Sequence, residues 1–271
     1  MSDSDETDSS LRELLSAVAA GALTVDAAER RLAELGLAAV GDYARLDVGR
    51  SRRKGVPEIV YAPGKSVAQL AEIVARFVTA AGVVLCSKTS PEQAAAVRAA
   101  AAGQVEYDER SRVLLARAPG QSPPDEIGLV GALAAGTGDV PVAEEAVAVC
   151  RQMGVRVLTA YDVGVAGLHR LAEPLRDMLN AGVAALVVAA GMEGALPSVV
   201  AGMVDVPVIG LPTSTGYGLG GGGEAALLGM LQTCSPGLVV VNIDNGVGAG
   251  ATAALIARRA AAAAGRGGAV S

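Results

Sequence analysis

Residues 231–250 read LQTCSPGLVVVNIDNGVGAG, which sets a thiol and a polar cluster at opposite ends of one short apolar run. Cys234 precedes the run, and Asn242, Asp244 and Asn245 follow it among glycines. A thiolate adds readily to electron-poor carbon and leaves again, so an accessible cysteine can act as a transient nucleophile. Cys234 is surrounded by Thr233, Ser235, Pro236 and Gly237, the residues of a turn. Cys86, in an apolar run, and Cys150, on an apolar helix face, read instead as buried structural residues. Three widely spaced cysteines without a CxxC pair argue against a disulfide framework or a zinc site.

Four further segments carry groups able to act on a ligand. In AAGTGDVPVAEEA, residues 134–146, Gly136 and Gly138 permit a tight turn, and Thr137 and Asp139 stand where a helix begins. Asp139 reads either as the cap of that helix or as part of an anion cradle. The spacing matches neither a GxGxxG fingerprint nor a GxxxxGK loop. YDVGVAGLHR, residues 161–170, ends in the only histidine, His169, followed by Arg170, whose planar fork suits a carboxylate or phosphate. Within GMEG, residues 191–194, Glu193 stands at a helix start, where it either favours the helix dipole or moves protons. Tyr217 sits in a loop with six glycines in residues 216–223 and offers a ring for stacking on a planar ligand.

These groups need elements to hold them. Apolar runs at 127–134, 155–160, 184–190, 206–211 and 237–243 read as buried strands. Amphipathic segments at 141–153, 167–181, 194–204, 223–233 and 248–263 read as the helices between and after them. This succession predicts an open parallel five-stranded sheet flanked by helices, with ligands beyond the carboxyl ends of its strands. Thr137, Asp139, His169, Arg170, Glu193 and Tyr217 all follow strands and gather at that edge. Cys234 does not, because it precedes its strand. Either its turn folds back or it reaches the crevice of a neighbouring subunit.

Upstream lies a smaller α/β domain. Short helices are expected over 9–20 and 24–36, PEIVYA and GVVLCS read as strands, and helices follow over 66–80 and 91–100. All three lysines, Lys54, Lys65 and Lys88, lie here beside Arg45, Arg50, Arg52 and Arg53. Lys65 is the sharpest candidate for holding phosphate, and a solvated basic face is the alternative. The Pro- and Gly-rich ARAPGQSPPDE, residues 116–126, reads as a linker. The expected division is therefore 1–10 disordered, 11–120 and 121–264 as two domains, and 265–271 as a disordered tail. A net charge of −6 argues against a nucleic-acid partner, and no apolar run reaches the length of a membrane span. With the acidic opening MSDSDETDSS, these features suggest a cytoplasmic protein.

Taken together, the segments carry a resemblance. Residues 127–264 resemble the N5-carboxyaminoimidazole ribonucleotide mutase (PurE) family through the Gly136–Asp139 turn, the Gly167–Arg170 segment and Gly191 through Met203. Glu193 stands in the neighbourhood where that family carries its second histidine. The altered pattern is similar to the LarB family, the carboxylase/hydrolases that begin synthesis of the nickel-pincer nucleotide cofactor. That likeness runs through LDVGRSRRKGVPEIVYAPGK, GTGDVPVAEEA, AAGMEGALPSVVAG, PTSTGYG and CSPGLVVVNIDNGVGAG, within residues 43–256. Gly138 departs from it, since serine is more typical of such turns.

The resemblance implies nicotinic acid adenine dinucleotide and CO2 or bicarbonate as substrates. The products would be pyridinium-3,5-biscarboxylic acid mononucleotide and AMP. It further implies Cys234 as nucleophile, Glu193 as base, and Thr137, Asp139, His169 and Arg170 as lining of the nucleotide and CO2 site. Mg2+ is the expected ion, with no ligand assigned beyond the bare candidate Asp244, and a homo-octamer is the expected assembly. Two rivals remain: an aminoimidazole ribonucleotide carboxylase or mutase, and a non-catalytic nucleotide-binding sensor.

Overall fold

A computed structural model describes residues 13–28, 37–40, 44–47 and 49–267. The chain divides into two compact units, one of Met1–Tyr107 with Leu114–Ser122, the other of Asp108–Val113 with Pro123–Ser271. Among the described residues no helix is long and apolar enough to cross a membrane.

In the first unit a two-stranded antiparallel ribbon, β1 (Leu37–Val40) and β2 (Ala44–Asp47), precedes a short helix, Arg50–Lys54. The main sheet has the order β3-β4-β6-β5, from β3 (Ile59–Tyr61), β4 (Val83–Ser87), β5 (Gln104–Asp108) and β6 (Val113–Arg117). β3 and β4 are parallel, and the helix Val67–Ala81 crosses between them. Its start is a capping box: Ser66 Oγ accepts from Gln69 N–H, and Gln69 Oε1 accepts from Ser66 N–H. Its buried side includes Leu70, Ile73, Val74, Phe77 and Val78, at the spacing of one helix face. The helix Pro91–Ala100 opens with the same box on Ser90 and Gln93. Val40, Leu46, Leu70, Phe77, Val84, Cys86 and Leu114 share one core.

The second unit is a five-stranded, all-parallel sheet of order β11-β10-β9-β7-β8. Its strands are β7 (Leu129–Ala134), β8 (Arg156–Tyr161), β9 (Leu186–Ala190), β10 (Val208–Pro212) and β11 (Leu238–Val240). The chain starts in the middle, steps out to β8, then returns past β7 to lay down β9, β10 and β11. The direction reverses between β7 and β9, which makes their carboxyl ends the crevice of this topology. Helices His169–Asn180, Ala195–Ala201 and Glu224–Leu231 share a core with Leu186, Val188 and Ala190 on one face of β9. Helices Val140–Gln152 and Gly246–Gly267 pack against each other and over β7, β9 and, in the second case, β10. With one Phe and no Trp in the chain, these layers close on small residues. A Cβ on Gly250 would lie 2.4 Å from Ala146 O, so the two helices meet at a separation that no larger residue allows.

Several expectations change in detail. The sequence 9–20 is helical over 13–19 and 24–36 over 25–28; residues 9–12 and 29–36 lie outside the described ones. The opening stretch 1–10 and Arg45's side chain lie outside them as well. β1, β2, β5, β6 and the helix Arg50–Lys54 were not anticipated. The expected linker begins late, because Ala116 and Arg117 still belong to β6. β11 stops at Val240 rather than 243. The tail expected to be disordered from 265 is helical through Gly267, since the alanine run before it continues the helix at low cost; residues 268–271 lie outside the described ones.

Cys86 and Cys150 are buried in these cores and Cys234 is exposed. Burial pushes the Cys86 thiol up to about 12, against the opposing pull of Lys65. Burial likewise pushes Cys150 up to about 12. Only thiolates react with alkylating agents, so raising the pH to 9 ionises neither buried thiol. Iodoacetamide on the native protein at that pH is expected to add one group, at Cys234, and three after denaturation. Intact-mass analysis with peptide mapping reads the result, and native labelling of Cys86 or Cys150 would contradict the burial.

Candidate active site

β7 ends in the turn Gly136–Asp139, β9 in Gly191–Gly194, and β10 in Thr213–Thr215. A buried carboxylate links the first to the third across the second. Asp139, 5% exposed, accepts from Gly136 N–H at 2.8 Å through Oδ2. Its Oδ1 accepts from Thr213 Oγ1 and, at 2.7 Å, from Thr215 Oγ1. Asp139 therefore does not cap the helix Val140–Gln152 with its side chain, as one reading of the sequence had it. Its oxygens turn back to the 136 turn and across the sheet to the turn after β10. Between these turns lies Gly191. A Cβ there would fall 2.6 Å from Thr215 Oγ1 and 2.9 Å from Thr213 Oγ1, so the clasp closes only over glycine.

The remaining expected residues fall around this clasp or away from it. Thr137 is exposed on the first turn, and His169 and Arg170 are exposed at the start of the helix after β8. Arg170 Nη1 donates to the Asp162 carboxylate. Glu193 is exposed in the turn after β9, and Tyr217 is 80% exposed in the glycine loop after β10. Asp244, after β11, accepts from Ser214 N–H at 2.9 Å and from Ser214 Oγ at 2.6 Å, which ties the fourth and fifth strand ends together. Of the five non-glycine residues with positive φ among the described residues, Asp162, Met192 and Asp244 stand in turns after β8, β9 and β11. Backbone strain is thus concentrated at the edge where ligands bind in this topology.

Two expected residues lie elsewhere. Lys65 belongs to the first unit, at the carboxyl end of β3, where its Nζ donates to Tyr61 O at 2.7 Å. Cys234 lies before β11, at the amino end of the sheet: Val208 N–H, at the start of β10, donates to Gly237 O. Its turn does not fold back to the strand tips. The adjacent Ser235 Oγ donates to Ser198 O, about 4.5 Å along the helix from Ala195 at 1.5 Å per residue.

Among the described residues no three His, Cys, Asp or Glu side chains group to hold a metal ion. Asp139 and Asp244 both accept hydrogen bonds from protein donors. Sequence reasoning missed Thr213, Thr215 and Asp162. The spacing of two hydroxyls at i and i+2 just past a strand was visible in PTSTGYG, but which carboxylate they would meet depends on a 74-residue separation.

Thr213 is wholly buried, so Thr213→Val keeps the shape and removes one donor from a buried carboxylate. The expected destabilisation is about 1–3 kcal/mol, with Thr213→Ser close to wild type. Urea unfolding checks this, and a neutral Val variant would mean the clasp contributes nothing.

The comparisons with known proteins follow the same division. The family model LarB/PurE-like N-terminal domain matches residues 38–118, and the model AIR carboxylase matches residues 129–266. An uncharacterized protein of Methanocaldococcus jannaschii is 42% identical over 252 residues, 92% of this chain and 97% of that protein. The N5-carboxyaminoimidazole ribonucleotide mutase of the same organism is 32% identical over 120 residues, 44% of this chain and 69% of the mutase. With a LarB-type N-terminal domain joined to an AIR-carboxylase domain whose strand ends carry Asp139, Arg170 and Glu193, the chain belongs to the LarB family.

Proposed function

We propose that this carboxylase-family protein adds a carboxyl group to carbon five of the pyridinium ring of nicotinic acid adenine dinucleotide. Water also attacks one phosphorus of the diphosphate and breaks the phosphoanhydride, releasing AMP and pyridinium-3,5-biscarboxylic acid mononucleotide for nickel-pincer nucleotide synthesis. The observation that carries the reading is the exposed thiol of Cys234 in a chain whose β9 turn presents the carboxylate of Glu193. The pair supplies the two groups this substitution requires.

A pyridinium ring is too electron-poor to attack CO2. The Cys234 thiolate forms a C–S bond beside the ring nitrogen, and the displaced π pair passes to that nitrogen. The resulting enamine directs its electrons through carbon five, which forms a C–C bond to CO2. Glu193 then takes the carbon-five proton. The C–H electrons restore the aromatic ring as the C–S bond breaks and thiolate departs. Thr137, His169, Arg170 and Tyr217 serve the nucleotide and CO2, Asp139 holds the turn that presents Thr137, and Lys65 of the first unit is a separate phosphate-binding candidate. Bicarbonate is the source of CO2, and Mg2+ is assigned to the diphosphate of the substrate rather than to a cage of protein ligands.

Cys234 and Glu193 stand toward opposite ends of the sheet in one protomer, so we assign Cys234 to the site of a neighbouring copy. On either side of Cys234 in the chain, the helix Glu224–Leu231 leaves Leu228 and Leu231, and the edge strand β11 leaves Val239, more than half exposed. Such a face supports burial in an assembly, and the octamer implied by the PurE-like domain is the proposed one.

Incubation with the dinucleotide, bicarbonate and Mg2+, followed by mass spectrometry, is expected to show a dicarboxylated mononucleotide and AMP. Cys234→Ala and Glu193→Gln should each lose carboxylation by about 100-fold or more. Co-refolded mixtures of the two variants should recover part of the wild-type rate, because some sites then combine an intact thiol with an intact carboxylate. Near-normal carboxylation by Cys234→Ala would remove the thiol from the mechanism. Failure of the mixture to recover would place both groups in one protomer's site. The mutase reading, favoured by the match to the AIR carboxylase model, predicts turnover of aminoimidazole ribonucleotide and none of the dinucleotide.

A further inference from the structure

We infer that Asp162 is a positioning residue that fixes the Arg170 guanidinium for an incoming phosphate; the assignment of that phosphate to a dinucleotide rests on the function proposed above. Asp162 is the first residue after β8 and holds φ at +59°, a conformation that favours glycine. From there its carboxylate accepts from Arg170 Nη1, across the 3₁₀ turn Val165–Gly167. On another side the guanidinium lies against the backbone of Gly167. A Cβ there would sit 2.8 Å from Arg170 Nε and 3.1 Å from Nη2. Gly164 anchors the same turn to the end of β7, since a Cβ on it would meet Ala135 O at 2.7 Å.

An arginine side chain carries many rotamers, and ordering one at binding weakens a ligand. Here a carboxylate and a backbone shelf restrict the guanidinium before any ligand arrives. The pair is not explained by stability, because its side chains are 39% and 53% exposed and pairs of that exposure contribute little. Arg170 has five N–H donors and Asp162 engages one nitrogen, so donors remain for an oxyanion. Arg170 is also the one arginine or lysine in the segments just past β7, β8, β9 and β10, which directs phosphate to it.

Removing Asp162 has two opposing effects on an anion. It frees the guanidinium to reorient, which weakens binding, and it deletes a nearby negative charge, which strengthens binding. At 0.3 M salt the Debye length falls to about 6 Å and the second effect shrinks. Asp162→Gly suits the positive φ while deleting the carboxylate, and Asp162→Asn keeps an acceptor of the same shape.

Calorimetry at 0.3 M salt, with inorganic pyrophosphate and with the dinucleotide as separate probes, tests the inference. Asp162→Gly is expected to weaken pyrophosphate about three- to tenfold, with Asp162→Asn between it and wild type. Turnover should show the loss in KM with kcat within about twofold. In an Arg170→Lys background, where no planar fork remains to be aimed, Asp162→Gly should change binding less than about twofold. An equal loss in that background would make Asp162 a loop-stabilising residue and overturn the inference. Tighter binding by Asp162→Gly, or no pyrophosphate binding by wild type, would overturn it too. If pyrophosphate follows the expected pattern while the dinucleotide fails to bind wild type, Asp162 keeps its role and the nicotinate substrate falls.

Discussion

The carboxylate of Asp139 accepts from Gly136 N–H, Thr213 Oγ1 and Thr215 Oγ1, and it does so almost completely shielded from water. A buried carboxylate is tolerable only when its lone pairs are met, so this one requires the turns after β7 and β10 to stand at a fixed separation. β9 lies between those strands, and its turn must pass beneath the clasp, which is why position 191 is glycine. Asp244 repeats the device one strand further out by holding Ser214. Three of the five strand ends, those of β7, β10 and β11, are thereby linked through side-chain carboxylates. Turns that would otherwise move independently become a single surface, which Met192 and Asp244 enter with left-handed backbone.

That surface depends on the layer behind it. A core with few aromatics cannot fill wide gaps, so the helices must approach closely, and alanine and glycine permit it. Cys150 Sγ donates to Gly250 O, and a Cβ on Gly246 would meet Glu145 Oε2 at 2.7 Å. The helix Gly246–Gly267 is therefore pressed against Val140–Gln152 at the end from which its chain enters. Asn245 Oδ1 accepts from Gly248 N–H and so fixes that entry. Asp244 is the residue before it. Close packing of two helices thus reaches the ligand edge through one peptide unit.

Much of this was legible in the sequence. The five apolar runs of the second unit each mark a strand, β8 and β10 running one residue past theirs, and the turns after them carry the polar residues of the site. Local pattern suffices there, because buried parallel strands are continuous apolar runs. It fails at β5, whose half-exposed alternation in QVEYD is weak and whose place depends on pairing with β6, itself beside β4. It fails again at Asp139. A local rule assigns an aspartate before Val-Pro to capping, while the donors that engage it lie 74 and 76 residues away. The basic segment before β3 was legible only as composition; its pairing of Arg50 with Glu58 was not.

The position of Cys234 follows from parallel topology rather than from any local signal. Every crossover brings the chain back to the amino edge before the next strand begins, so a residue in the turn before β11 stands opposite the residues after it. Three residues of β11 and the short segments flanking it separate the two sets. That placement holds while Val208 N–H remains bonded to Gly237 O and Leu238 stays in register with Val208. A reaction that uses both Cys234 and Glu193 fits a second chain supplying one of them, as proposed above. The second chain preserves every hydrogen bond of the first. It would also cover the exposed leucines on the helix Glu224–Leu231.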